Sequence, residues 1–206
     1  MEALALSFTS GWASGLNSYL VVLVLGIADR IGHFALIPNV LGSWPVLAIA
    51  AVLYGIEFVA DKIPYLDSAW DGVSTLIRPV VGASVAAMVA GDAHNVHESL
   101  NQGVSALIGG TSAFSAHATK ASTRLAANVL PEPFTNIGLS LSEDGIVLGL
   151  MSLAVAHPII AGSVTAVLAV LGLTLVFLLV RRFRQGLGKV QDWMIRKATR
   201  RAVSAG

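Results

Sequence analysis

Residues 57–79 read EFVADKIPYLDSAWDGVSTLIRP, a stretch rich in charged residues. It lies between two long apolar segments of a protein in which only 12% of the residues are charged. A soluble domain averages about 25% charged residues. The charged residues of the stretch are Glu57, Asp61, Lys62, Asp67, Asp71 and Arg78. Such a group between apolar segments indicates either a solvated connector or a functional site within a membrane bundle.

Apolar segments follow one another along the chain, which has 206 residues, 55% of them hydrophobic, and a mean hydropathy of +0.75. They lie at about 4–28, 43–60, 74–91, 103–128, 144–160 and 161–180. Because a helix needs about 20 apolar residues to cross the hydrocarbon core, we expect an all-α, polytopic transmembrane bundle of about six spans. Pro158 predicts a break between the last two segments. Either the chain turns tightly there or one of these segments is re-entrant.

Two segments of the sequence resemble each other. Residues 78–89 read RPVVGASVAAMV, and residues 157–168 read HPIIAGSVTAVL. A weaker echo joins TSGW at 9–12 to TSAF at 111–114. The echoes predict an internal duplication, although convergence of Ala/Val/Ser-rich sequence is the alternative.

A duplication would divide the transmembrane domain, residues 1–180, into halves at about 4–91 and 103–180. Each half would contain three spans, so the halves must insert into the membrane with opposite orientation. Such an inverted repeat of three plus three is the architecture of many secondary transporters, with a site at the interface of the repeats.

Basic residues are concentrated in a tail, residues 181–206, which holds eight of the thirteen Lys and Arg. The positive-inside rule places this tail in the cytoplasm, and six spans then place both termini there. We therefore expect an integral membrane protein with membrane lipids as partners. Interleaved apolar residues predict an amphipathic helix on anionic lipid after a break at Gly186 or Gly188. The alternative is a solvated tail that only sets the topology.

The first span carries a face of small and polar residues: Ser7, Ser10, Gly11, Ser14, Asn17 and Ser18. Such a face either lets two helices approach closely, with hydroxyl groups bonding across the interface, or lines a polar pathway. Gly11 and Gly15 also match the G-x-x-x-G pattern of closely packed membrane helices. Together with the thin bundle, this pattern predicts a homo-oligomer.

The fourth span places His117, Lys120 and Arg124 at i, i+3 and i+7, on one stripe of a helix. Ionisable groups within a membrane are costly and usually face a partner or water, although Lys and Arg near an interface can extend to it. Because Glu57 and Asp61 share a helix face, we expect them to approach Lys120 or Arg124. The resulting charge network is either structural or part of a gate or ion site. The candidate pathway residues are Asn17, Ser18, Glu57, Asp61, Lys62, Asp67, Asp71, Arg78, His117, Lys120 and Arg124.

Motifs of soluble enzymes are missing from the sequence. It has no Walker loop, no G-x-G-x-x-G, no G-x-S-x-G and no visible nucleophile–base pair, so we expect neither an enzyme nor a cofactor. We also expect no nucleic-acid partner. The absence of cysteine excludes disulfides and thiolate chemistry. His94 and His97 lie in a polar stretch with residue types that bind zinc, but a solvated loop is favoured and no metal site is expected.

An ordered set of short motifs resembles a known family. The set comprises Gly15-Leu16-Asn17-Ser18-Tyr19, Glu57-x-x-x-Asp61-Lys62-Ile63-Pro64-x-x-Asp67, Trp70-Asp71 and Arg78-Pro79-x-x-Gly82-Ala83. It is similar to the bacterial membrane family called domain of unknown function 4126, over most of the chain up to about Ile160. The resemblance implies an integral membrane protein of several spans, which we expect in the bacterial inner (plasma) membrane. It implies no activity and no role for any residue.

Two functions follow from these observations. The first is a small transporter or channel for an ion or small polar solute, with its site at the interface of the repeats. The alternative is a non-transporting membrane scaffold or accessory subunit of a larger membrane complex, which would bind through its small-residue faces.

Overall fold

The structure is a computed structural model that describes residues 1–63, 65–91, 96–127 and 133–204. These residues form six α-helices and no strand: α1 (Glu2–Gly32), α2 (Trp44–Ala60), α3 (Leu66–Val89), α4 (Val96–Ala127), α5 (Pro133–Ala156) and α6 (Pro158–Ser204). The prediction of an all-α bundle of about six helices is confirmed. Among the described residues, four stretches are long and apolar enough to cross a membrane: Glu2–Gly32, Leu66–Val89, Phe134–Ala156 and Pro158–Gly186.

The first helix is broken in the middle. Asn17 has φ −152° and ψ 97°, outside the helical range, and it divides α1 into a first arm, residues 2–16, and a second arm, residues 18–32. In the first arm, Ser7 Oγ donates a hydrogen bond to Ala86 O near the end of α3. The loop after the second arm, residues 35–40, shares a cavity of about 450 Å³ with that same end of α3. Both arms therefore lead from Asn17 to the same end of the bundle, and the expected single span at 4–28 is wrong.

The first arm of α1 is the central element, and its neighbours show the direction of the other helices. The third helix runs opposite to it, because Arg78 lies beside Gly15 while Ala86 lies beside Ser7. The fourth helix runs parallel to it, with Gly109 beside Gly11 and Ala113 and Ala116 beside Gly15. The sixth helix is also parallel, with Gly162 beside Ala5 and Thr165 beside Thr9.

These directions contradict the predicted repeat. A rigid rotation of one half onto the other must preserve the relative direction of its helices. The first arm of α1 and α3 are antiparallel, whereas their supposed counterparts, α4 and α6, are parallel. No rotation therefore superposes residues 4–91 on 103–180, and the inverted repeat of three plus three is wrong. The remaining interpretation of the sequence echoes is convergence of Ala/Val/Ser-rich sequence, the alternative given above.

The last two helices form a hairpin. Only His157 separates α5 from α6, and Leu139 and Leu175, equally far from it along the chain, line one cavity of about 280 Å³. Of the two expectations for Pro158, the tight turn is confirmed. The sixth helix then continues to Ser204 without the predicted break at Gly186 or Gly188. A glycine within a helix costs only about 1 kcal/mol relative to alanine, which is not enough to end one.

The path of α6 also determines where the ends of the chain lie. The start of α1 lies beside the start of α6, and the basic end of α6 extends from the opposite end of the bundle. The two ends therefore point in opposite directions, which differs from the path of six full crossings. No break in the backbone marks the predicted division between residues 1–180 and the tail, residues 181–206.

Candidate functional site

Two interrupted helices end close together inside the bundle. Asn17 begins the second arm of α1, where its Oδ1 accepts the N–H of Leu20 at 3.0 Å, as an N-cap side chain does. The second interruption follows α2, which ends at Ala60, before α3 begins at Leu66. The last carbonyl groups of a helix have no intrahelical partner, so each interruption leaves carbonyl groups free at buried positions.

Three buried cations bond to these free carbonyl groups. Arg78 Nη1 donates to Gly15 O at 3.2 Å, and Lys120 Nζ donates to Leu16 O at 3.1 Å, at the end of the first arm of α1. Arg124 Nη1 donates to Asp61 O at 2.7 Å, at the end of α2. Positive charge is favoured at a helix C-terminus, because the partial charge of the carbonyl groups is negative there. The cations therefore stabilise the interruptions of both helices.

Five carboxylates connect the three cations into one charge network. Arg78 Nη2 lies 2.5 Å from Glu57 Oε1, and Lys120 Nζ lies 2.6 Å from Asp61 Oδ2. Arg124 Nη2 lies 2.7 Å from Glu143 Oε2. Longer ion pairs link the same groups: Arg78–Asp71 at 3.2 Å, Arg124–Asp61 at 3.2 Å, Lys120–Glu143 at 3.4 Å, Arg124–Asp67 at 3.5 Å and Lys120–Glu57 at 3.6 Å. The expected approach of Glu57 and Asp61 to Lys120 and Arg124 is confirmed.

The charge network is buried and has more acids than bases. Relative exposure is 9% or less for each of its eight residues. These are Glu57, Asp61, Asp67, Asp71, Glu143, Arg78, Lys120 and Arg124. Five carboxylates and three cations leave an excess of two negative charges if all are ionised. Because burying an unpaired charge is expensive, this excess distinguishes the charge network from a simple set of structural ion pairs.

Asp71 is the least satisfied member of the charge network. It is only 4% exposed, and neither of its carboxylate oxygens has a hydrogen-bond partner among the residues that the structure describes. Its ion pair within that part of the chain is to Arg78 Nη2, which already lies closer to Glu57. The Oδ1 atom of Asp61 is likewise buried without a hydrogen bond from any described residue.

His117 borders the charge network as a neutral imidazole. Its Nδ1 lies 2.8 Å from Arg78 Nη1, and its Nε2 lies 3.0 Å from Thr75 Oγ1. Because a guanidinium only donates hydrogen bonds, Nδ1 must accept, and the proton of the neutral ring is on Nε2. The Thr75 hydroxyl then donates to Asp71 O at 2.9 Å. A second proton on His117 would break its bond with Arg78.

A smaller polar group adjoins the charge network. Asn17 Nδ2 donates to Asp144 Oδ1 at 3.0 Å, and Tyr54 OH donates to Asp144 Oδ2 at 3.5 Å. Lys62, between α2 and α3, donates to Phe58 O at 2.9 Å and to Ser140 Oγ at 3.1 Å. Burial lowers the pKa of Lys62 from its ordinary value, against the opposing charges of Asp144 and Asp61. This group joins α1, α2 and α5 beside the network.

Most of the predicted pathway residues meet in the structure. The charge network contains Glu57, Asp61, Asp67, Asp71, Arg78, Lys120 and Arg124, while Asn17, Lys62 and His117 border it. Ser18 is buried, but its Oγ bonds to Ser14 O within α1. Their role in a pathway stays a prediction.

Sequence reasoning missed Glu143 and Asp144, which contact the charge network and the smaller polar group. The predicted apolar segment begins at residue 144, whereas α5 begins at Pro133, so both carboxylates lie inside the helix. The signal was their position directly before an apolar run, with Ser140, Asp144, Val147 and Met151 on one helical face.

No three His, Asp or Glu side chains in the described part of the chain are arranged to hold a metal ion. His94 lies outside the described residues, and His97 lies in the first turn of α4. The suggestion of zinc ligands in this stretch therefore gains no support.

Comparison with known proteins identifies a family but no activity. The family model described as "Domain of unknown function (DUF4126)" matches residues 4–178. The match extends beyond the resemblance noted in the sequence, to include most of the apolar part of α6. No match was found among curated proteins or among solved structures.

Proposed function

The chain belongs to the DUF4126 family, and we propose that it is a small membrane transporter or channel that moves an ion or small polar solute through its buried charge network. The single observation that carries this proposal is the excess of acids over bases at two helix interruptions. Interrupted helices form the binding sites of many transporters, and such backbone is tolerated at depth where it is buried in protein or lines a cavity.

Purely structural ion pairing would be served by equal numbers of acids and bases. The charge network instead contains five carboxylates around three cations. Carboxylates within a membrane protein are costly, and they commonly mark the path of a cation or proton. The surplus charge therefore supports a binding role for a positively charged species.

The orientation proposed for the protein follows from its basic end. Residues 181–206 carry eight Lys and Arg, which supports a cytoplasmic location for this end of α6 in a bacterial inner membrane. Gly172 of α6 lies beside Thr119, the residue directly before Lys120. From Gly172, α6 continues toward its basic end. The charge network would therefore lie in the cytoplasmic half of the bundle. Anionic lipid remains the proposed partner of the basic end.

The scaffold alternative loses the feature that suggested it. Gly11 and Gly15 do not form an exposed docking face, because α4 of the same chain covers them. A Cβ atom at Gly11 would lie 2.5 Å from Gly109 Cα. The expected homo-oligomer, which rested on the same G-x-x-x-G pattern, stays a prediction without this support.

The proposed function is tested by reconstituting the full chain into liposomes and measuring flux of Na⁺, K⁺, Cl⁻ and H⁺. We expect flux of at least one of these ions above that of protein-free liposomes, and its loss in Glu57→Gln. Glu2→Gln, which changes an exposed carboxyl outside the charge network, is the matched control and should retain flux. Folded protein without flux of any ion in the panel would contradict the proposal.

A further inference from the structure

One carboxylate of the charge network lacks hydrogen-bond donors. Asp71 is almost fully buried, and its two oxygens accept no hydrogen bond from the described residues. Its neighbouring carboxylates are better served: Glu57 accepts from Arg78, and Asp61 accepts from Lys120 and Arg124. An ionised carboxylate without donors is the least stable state for a buried acid.

We propose that Asp71 is a proton-binding site of this protein and that the proton is the species whose binding is coupled to transport. For its role in transport, the inference rests on the proposed function. In the binding step, a hydronium ion gives its proton to Asp71 Oδ2, an O–H bond forms, and a water molecule leaves. One of the two excess negative charges is thereby neutralised.

The geometry favours a proton over a metal ion. An alkali or divalent cation requires several oxygen ligands around one point, whereas a proton requires one oxygen. The spaces between the carboxylates are occupied by Arg78, Lys120 and Arg124. Among the described residues, no three acidic or imidazole groups are placed to surround a metal ion. Oxygen Oδ2 of Asp71 meets the simpler requirement.

Charged and ionisable groups surround Asp71 on several elements, and each affects how favourably Asp71 binds a proton. Arg78 is the nearest base, and its neighbour His117 is held neutral by the hydrogen bonds described above. The groups facing this region are Tyr19 of α1, Glu57 and Asp61 at the end of α2, Asp67 and Arg78 of α3, His117, Lys120 and Arg124 of α4, and Glu143 of α5.

Protonation of Asp71 changes the partners of Arg78. When Asp71 is ionised, it competes with Glu57 for Arg78 Nη2, at 3.2 Å against 2.5 Å. When Asp71 is protonated, its charge attraction to Arg78 is lost, and Nη2 then pairs with Glu57 alone. Because Nη1 of the same guanidinium bonds to Gly15 O, the proton is linked to the interruption of α1. This link gives a physical route from proton binding to a movement of the two arms.

Infrared spectroscopy of the purified full chain in lipid tests the inference without measuring transport. A protonated carboxyl group gives a C=O band that shifts when H₂O is replaced by D₂O. We expect such a band at neutral pH, its loss in Asp71→Asn, and its retention at a shifted position in Asp71→Glu. Glu2→Gln, the matched control, should keep the band unchanged.

Isotope labelling keeps the test decisive if Asp71→Asn does not fold. In wild-type protein grown with ¹³C-labelled aspartate, the band should move with the label. A band that ignores the aspartate label, a band that survives in folded Asp71→Asn, or no protonated carboxyl in the wild type would each overturn the inference. Because these readouts are independent of flux, a failure of transport and a failure of proton binding can be told apart.

Discussion

At the scale of single residues, the cations of the charge network donate hydrogen bonds to carbonyl groups that the helix interruptions leave without partners. Arg78 and Lys120 bond to the last carbonyls of the first arm of α1, and Arg124 bonds to the carbonyl of Asp61, the C-cap residue of α2. Helical spacing predicted the stripe of His117, Lys120 and Arg124. It also predicted that Glu57 and Asp61 would pair with the cations of this stripe. The backbone carbonyl groups that bond to the three cations could not be predicted, because residue types alone do not show where a helix is interrupted.

Replacing Glu57 with Gln should destabilise the fold. Glu57 Oε1 accepts from Arg78 Nη2 and lies 3.6 Å from Lys120 Nζ, so the substitution removes a charge from between two buried cations. Breaking a buried ion pair typically costs about 3–5 kcal/mol, because the remaining charge is left without a partner. Thermal unfolding in detergent should show a lower midpoint than the wild type. The exposed control Glu2→Gln should unfold like the wild type, and equal stability of both variants would refute the structural role of Glu57.

At the scale of helices, close contacts of small residues hold the first arm of α1 against α4. Gly11, Gly15, Gly82 and Gly109 lie where the backbones of α1, α3 and α4 approach each other. The sequence indicated this use of small residues, and the structure places it within one chain. The helix ends were less predictable, because inward-facing polar residues such as Asp67 and Glu143 extend the helices beyond their apolar segments.

Enlarging Gly15 should separate α1 from α4. A Cβ at this position would overlap Ala113 O, a backbone atom that cannot turn away. Overpacking of this kind costs about 1–3 kcal/mol, so Gly15→Ala should lower the midpoint of thermal unfolding. Gly55→Ala is the matched control, because no atom lies within 4 Å of a Cβ at Gly55. If both variants unfold alike, the close contact is not important for stability.

At the scale of the whole molecule, the interruption at Asn17 changes the topology. Two arms replace one continuous helix, and the start of α1 and the basic end of α6 lie at opposite ends of the bundle. Composition and hydropathy predicted the all-α bundle well, because they report the long apolar segments that form its helices. They could not predict the interruption, because residues 4–28 form a continuous apolar segment in which Asn17 is one polar residue among several.

The opposite placement of the two ends is testable with cysteine labelling, because the chain contains no cysteine. With the basic end of α6 in the cytoplasm, Glu2→Cys should react with a membrane-impermeant maleimide applied to intact cells. Ser204→Cys should react only after the membrane is permeabilised. Labelling of neither position in intact cells would instead indicate the path of six full crossings with both ends in the cytoplasm.

The most direct test of the central claim, that protons move through the charge network, is proton uptake by liposomes that contain the full chain. An outward-directed potassium gradient with valinomycin makes the interior negative, and a trapped pH-sensitive dye reports proton entry. We predict proton entry with the wild type and with Glu2→Gln, and none above the protein-free rate with Asp71→Asn of normal thermal stability. Equal proton entry with Asp71→Asn and the wild type, or no entry with either, would contradict the account.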